Sequence, residues 1–196
     1  TIVGIENVNF NLAAFAPATS ATTFDVAATN ISASTINLDV TQAGSTLVEA
    51  VVTGVKSGAT VSLSDDFTEA GIAGATDADL TINLAGAVTT VADDGLTITG
   101  TTLGDIVVNA EADLGIFGST NIGDLTVTAA GDLSVDAATA TTATLTATGA
   151  IAVADLDLAT TISLSAGDDS SIGADTDAVT ALTLASTDAA AATVYT

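Results

Sequence analysis

The chain has 196 residues, of which 24 are acidic and one is basic, with no histidine or cysteine, giving a formal net charge of -23. The usual transition-metal ligands, the commonest general base, a thiol nucleophile and any disulfide are therefore missing, and a surface this acidic repels nucleic-acid phosphates and anionic lipid. Hydrophobic residues make up 48% and aromatic ones only 3%, so the expected core is a thin stack of Ala, Val, Leu and Ile rather than a broad aromatic one.

Taken in order, residues 1–75 are the less regular part. They hold Phe10, Phe15, Phe24, Phe67, the only proline (Pro17), Lys56, and Glu6, Glu49 and Glu69. Alternating apolar and polar residues predict strands at Ile5–Leu12, Thr22–Val26, Thr35–Val40, Thr46–Val52 and Thr60–Ser64. This stretch reads as a β cap with wider coils, or as a small β-sandwich joined to the rest of the chain.

Residues 76–196 read as a repeat region. Short period-2 words recur at Leu80–Leu84, Leu96–Ile98, Ile106–Val108, Leu114–Ile116, Leu125–Val127, Leu133–Val135, Ile151–Val153, Ile162–Leu164 and Leu182–Leu184. Asp105-Ile106 returns nineteen positions on as Asp124-Leu125, and Gly131-Asp132-Leu133 returns eighteen on as Gly149-Ala150-Ile151. Matched words at a near-constant offset predict an all-β fold, a parallel β-solenoid with coils of about 19 residues. Leu125, Ala143, Ile162 and Leu182 should then stack in one column, and Leu114, Leu133 and Ile151 in another. Ten such coils would make a rod of roughly 48 Å. A Greek-key β-sandwich, with many short strands and regular turns, is the alternative.

Three Asp pairs lie in predicted turns: Asp65-Asp66, Asp93-Asp94 and Asp168-Asp169. Calcium takes six to eight oxygen ligands from carboxylates and turn carbonyls, so these six residues are the candidate metal ligands and calcium the candidate cofactor. The competing reading is that Asp simply forms solvated turns. A second pattern is outward Thr and Ser in Thr97-Ile98-Thr99, Thr126-Val127-Thr128, Thr144-Leu145-Thr146 and Ser163-Leu164-Ser165. These would give a flat hydroxyl face resembling the T-x-T arrays of ice-binding proteins, although Thr is also simply a good residue for a solvated strand face. No catalytic residue is expected, because base, thiol and aromatic substrate platform are all wanting.

The opening Thr1-Ile-Val-Gly-Ile-Glu-Asn-Val-Asn-Phe10 and the Thr/Ala/Gly/Asp/Val-rich remainder resemble bacterial S-layer and RTX-type secreted repeat proteins. The resemblance implies one-step secretion, calcium binding outside the cell, and a role in tiling the surface or in adhesion. The G-G-x-G-x-D nonapeptide of that group is absent, with Gly167–Asp175 a distant echo, so no calcium-roll site carries over. Thr1 in place of Met suggests a processed product or a piece of a longer chain.

The function expected from sequence is a non-enzymatic structural subunit of an extracellular, bacterial cell-surface assembly (an S-layer lattice, a filament or an adhesin module) stabilised by calcium. It would self-associate and could contact cell-surface polysaccharide, without nucleic acid or membrane insertion. The alternatives are a surface-binding module using its Thr/Ser face on glycan or ice, and a soluble acidic protein of a halophile.

Overall fold

The computed structural model describes residues 4–14, 22–42, 48–64, 67, 69–86, 95–136, 139–156, 158–175, 178–187 and 193–195. These form eighteen strands: β1 (Asn7–Ala14), β2 (Thr22–Ala27), β3 (Thr35–Gln42), β4 (Val48–Val55), β5 (Ala59–Ser64), β6 (Glu69–Gly74), β7 (Ala78–Leu84), β8 (Leu96–Thr99), β9 (Leu103–Ala110), β10 (Leu114–Phe117), β11 (Ile122–Ala129), β12 (Leu133–Asp136), β13 (Ala140–Ala147), β14 (Ile151–Asp155), β15 (Thr161–Ala166), β16 (Ser170–Asp175), β17 (Ala181–Ser186) and β18 (Thr193–Tyr195). One turn of 3-10 helix, Ala28–Asn30, comes directly after β2.

Odd-numbered strands pair in sequence order into one nine-stranded sheet and even-numbered strands into a second. Each coil therefore contributes one strand to each sheet. Pairing is parallel throughout, from β1 against β3 to β16 against β18. The fold is a two-sheet parallel β-solenoid of nine coils, and the antiparallel sandwich is ruled out. Both predicted columns are present: Leu125, Ala143, Ile162 and Leu182 are register partners, as are Leu114, Leu133 and Ile151. Strands β1–β6, drawn from the first 75 residues, belong to these same two sheets and not to a separate one. No helix among the described residues is long and apolar enough to cross a membrane.

Period-2 alternation sorts the side chains. In β5 and β7 the inward Val61, Leu63, Ile82 and Leu84 are buried, while Thr60, Ser62, Thr81 and Asn83 between them are only half-buried. Stacking the coils makes each inward position a column. One runs Ile36, Val61, Ile82, Val108, Val127, Leu145, Leu164, all aliphatic and all buried.

A neighbouring column changes along the axis. From Phe10 it runs Leu38, Leu63, Leu84, then Ala110, Ala129, Ala147 and Ala166. The step from leucine to alanine has a local cause. After β9, β11, β13 and β15 the chain crosses to the other sheet in three residues, 111–113, 130–132, 148–150 and 167–169. So short a link pinches the two sheets together at that corner, and the last inward residue before it must be small. Coil length changes at the same place, from 26 residues between Ile82 and Val108 to 19 between Val108 and Val127.

Candidate functional site

The three-residue corners show what the acidic residues do. At the first of them Asp113 turns its carboxylate toward the next coil, where Oδ1 accepts the backbone N–H of Asp132 at 2.8 Å. Asp132 repeats the act on the following coil, accepting the N–H of Ala150 at 2.9 Å. Asp79, at the start of β7, accepts the N–H of Asp105 at 2.9 Å in the same way. A carboxylate on a backbone N–H is a charge-assisted hydrogen bond, and it satisfies a donor that the ladder leaves free at the bend.

Space for this is made by glycine. A Cβ at Gly149 would stand 2.1 Å from Asp132 Oδ1, and one at Gly131 would stand 2.0 Å from Asp113 Oδ1. Sequence alone does not single out Asp79, Asp113 and Asp132, since a carboxylate that bonds a backbone donor on the next coil leaves no local motif. The one available signal is the Gly-Asp word recurring at coil spacing.

Of the six predicted metal ligands, Asp65, Asp66, Asp93 and Asp94 lie outside the described residues. Asp168 and Asp169 form the last described three-residue corner, between β15 and β16. There Asp168 Oδ1 accepts the N–H of Asp169 at 2.7 Å, and the Asp168 carbonyl accepts the Ser170 hydroxyl at 3.4 Å. Asp169 holds the position that Asp113, Asp132 and Ala150 hold on the coils before it. With Ala150 supplying no carboxylate from below, Asp168 takes over the donor. Among the described residues no group of three or more acidic side chains is close enough to hold a metal ion. Acidic residues do meet in pairs across coils: Glu49 with Glu69, Asp105 with Asp124, and Asp136, Asp155 and Asp175 in succession.

The outer face of the odd-strand sheet carries two polar columns. One is Thr35, Thr60, Thr81, Val107, Thr126, Thr144, Ser163 and Thr183; the other is Asn9, Asn37, Ser62, Asn83, Asn109, Thr128, Thr146 and Ser165. Three of the predicted hydroxyl rows therefore share one face, whereas Thr97 and Thr99 sit on β8 in the other sheet. The asparagines, which look like interruptions in sequence, are bonded to one another. Asn37 Nδ2 donates to Asn9 Oδ1 at 2.6 Å, and Asn109 Nδ2 donates to Asn83 Oδ1 at 2.9 Å. A shallow groove of about 340 Å³ runs along this column beside Ser62, Asn83, Asn109, Thr128 and Glu111.

On the other sheet Ser119 is fully buried because β8 and β10 share a single register pair, Leu96 with Ile116. Its Oγ accepts the N–H of Ile98 at 2.9 Å and the Thr120 N–H reaches the Ile98 carbonyl at 3.0 Å, closing the ladder where the strands part.

In comparisons with family models, with curated proteins and with solved structures, nothing matches this chain. Its function is accordingly read from geometry alone.

Proposed function

We propose that the chain is a structural subunit of an extracellular surface assembly, working as a stiff spacer rather than as a catalyst. The observation that carries this reading is the uninterrupted pair of nine-stranded parallel sheets closed over one aliphatic core. A solenoid of this kind gains stiffness from every added coil. The groove on the polar columns adds support, being lined by Ser, Asn, Thr and a single Glu111 with no base or nucleophile pair beside it. Calcium is the proposed stabiliser, because stacked acids such as Asp105 and Asp124 face one another across coils and one lysine cannot offset them. Electron microscopy of purified material, with and without chelator, tests the reading. Ordered arrays or filaments support it, and a monodisperse monomer under every calcium concentration overturns it.

A second reading is favoured by the in-register Thr126, Thr144 and Ser163 beside Thr128, Thr146 and Ser165. On it the flat hydroxyl face engages a glycan or ice. Binding to a glycan panel and thermal hysteresis distinguish it, and their absence together removes it.

A further inference from the structure

We infer that copies of this chain associate head to tail, the β17–β18 edge of one seated on the β1–β2 edge of the next. This rests on the reading of the chain as an assembly subunit and specifies the joint. The required contact already exists eight times within the molecule, once between each pair of successive coils. Among the described residues β1, β2, β17 and β18 each have one strand neighbour, so each leaves one side of its backbone ladder open. Two open parallel edges of the same solenoid are the two halves of one coil-to-coil contact.

The side chains at the two ends fit this use. Leu182 and Leu184 are 38% and 43% exposed, whereas Ile162 and Leu164, directly below them in the same columns, are 0% and 2% exposed. They are core residues lacking the coil that would cover them. At the opposite end Phe10 and Phe24 are only partly buried and, with Val26 and Ile31, line an apolar groove of about 240 Å³. Column positions match as well. Leu184 ends the column that starts at Val8, and Ser186 ends the column that starts at Phe10. Stacking therefore sets Leu184 over Val8 and the small Ser186 over the large Phe10.

Charge points the same way. Open edges are commonly protected by charged side chains or proline. Here β1, β17 and β18 have neither, and β2 has a single acid, Asp25. In a chain of net charge -23, copies can join only where the joint itself is nearly neutral, and these strands provide such a joint.

The test is complementation with the 196-residue chain, read by sedimentation velocity and electron microscopy, with far-UV circular dichroism to confirm folding. The unaltered chain should form linear oligomers with an axial repeat of about 43 Å, nine coils at strand spacing. A Leu182→Asp/Leu184→Asp variant and a Phe10→Asp variant should each associate at least about tenfold more weakly. Mixed together they should form dimers and nothing longer, because one keeps an open β1–β2 edge and the other an open β17–β18 edge. A Thr126→Lys/Thr144→Lys variant on the outer face should behave as the unaltered chain. Should the end variants assemble normally while the outer-face variant does not, the joint is lateral: the head-to-tail proposal falls and the assembly reading stands. Should the unaltered chain stay monomeric with and without calcium, both fall, and the open ends serve some other occupant.

Discussion

Asp132 and Ala150 sit at equivalent corners of successive coils, and the carboxylate of the first accepts the backbone N–H of the second at 2.9 Å. Replacing Asp132 by Ala removes the acceptor and leaves that N–H to solvent. The expected loss is about 1 kcal/mol, the usual worth of a side-chain acceptor capping a backbone donor. Asp132→Asn keeps an oxygen acceptor and should lose less than half as much. Urea titration of both variants checks this, and equal losses would mean that charge, not the hydrogen bond, matters there.

Gly167 lies where the corner passes under the preceding coil, and a Cβ there would stand 1.9 Å from the Thr148 carbonyl oxygen. Backbone cannot step aside as the end of a side chain can. Gly167→Ala should therefore cost about 3 kcal/mol, the upper end for overpacking, and lower the melting temperature by several degrees in a scan. Gly58, which has open space around its missing Cβ but a φ of +77°, should accept Asn with a much smaller loss.

The leucine-to-alanine column predicts opposite outcomes for size changes at its two ends. Leu63→Ala opens a cavity beneath Leu84 and above Leu38 and should cost about 2–5 kcal/mol. Ala129→Leu forces a large side chain into the pinched corner and should cost about 1–3 kcal/mol or more. Denaturant unfolding measures both, and an Ala129→Leu variant as stable as the parent would show that the sheets can separate there.

Chelator should disperse the proposed assembly into soluble subunits, and calcium should restore it where sodium chloride at equal ionic strength does not. Monovalent salt shortens the Debye length to about 8 Å at physiological strength, but it cannot bridge carboxylates through shared ligands. Light scattering during alternate calcium and chelator additions tracks this. Order that survives prolonged chelation, with no calcium found by metal analysis, rejects the cation's role.

Sequence periodicity is informative where corners are short. From Ile106 to Ala166 three-residue corners keep the offset at 18 or 19, so matched words align by eye and the columns through Leu125 and Leu133 are readable directly. Upstream the register partners stand 28, 25, 21 and 26 residues apart, as in Val8, Ile36, Val61, Ile82 and Val108. The strands there keep the same alternation, but connections of changing length destroy the constant offset. That is why residues 1–75 look like another kind of structure. The Asn9–Asn37 and Asn83–Asn109 contacts are hidden for the same reason, since Ser62 parts the pairs and their spacings are unequal. Asp168 and Asp169 are recognisable as turn residues, while the corner carboxylates of Asp79, Asp113 and Asp132 need three dimensions to connect them to their donors.

The change of core width after Leu84 also divides the chain by what its history permits. Between Ile106 and Ala166 each coil offers its neighbours the same aliphatic, aliphatic, alanine set, as in Leu125, Val127, Ala129 and Ile162, Leu164, Ala166. A duplication or deletion of one such unit would bring together surfaces that already fit, so this half can lengthen or shorten by recombination without redesign. The half that contains Leu38, Leu63 and Leu84 has no such freedom. Its coils differ in circumference, and removing one would set a wide rim on a narrow one. Variation in rod length among descendants of this chain should therefore be confined to the narrow half, in steps of one strand spacing, about 4.8 Å.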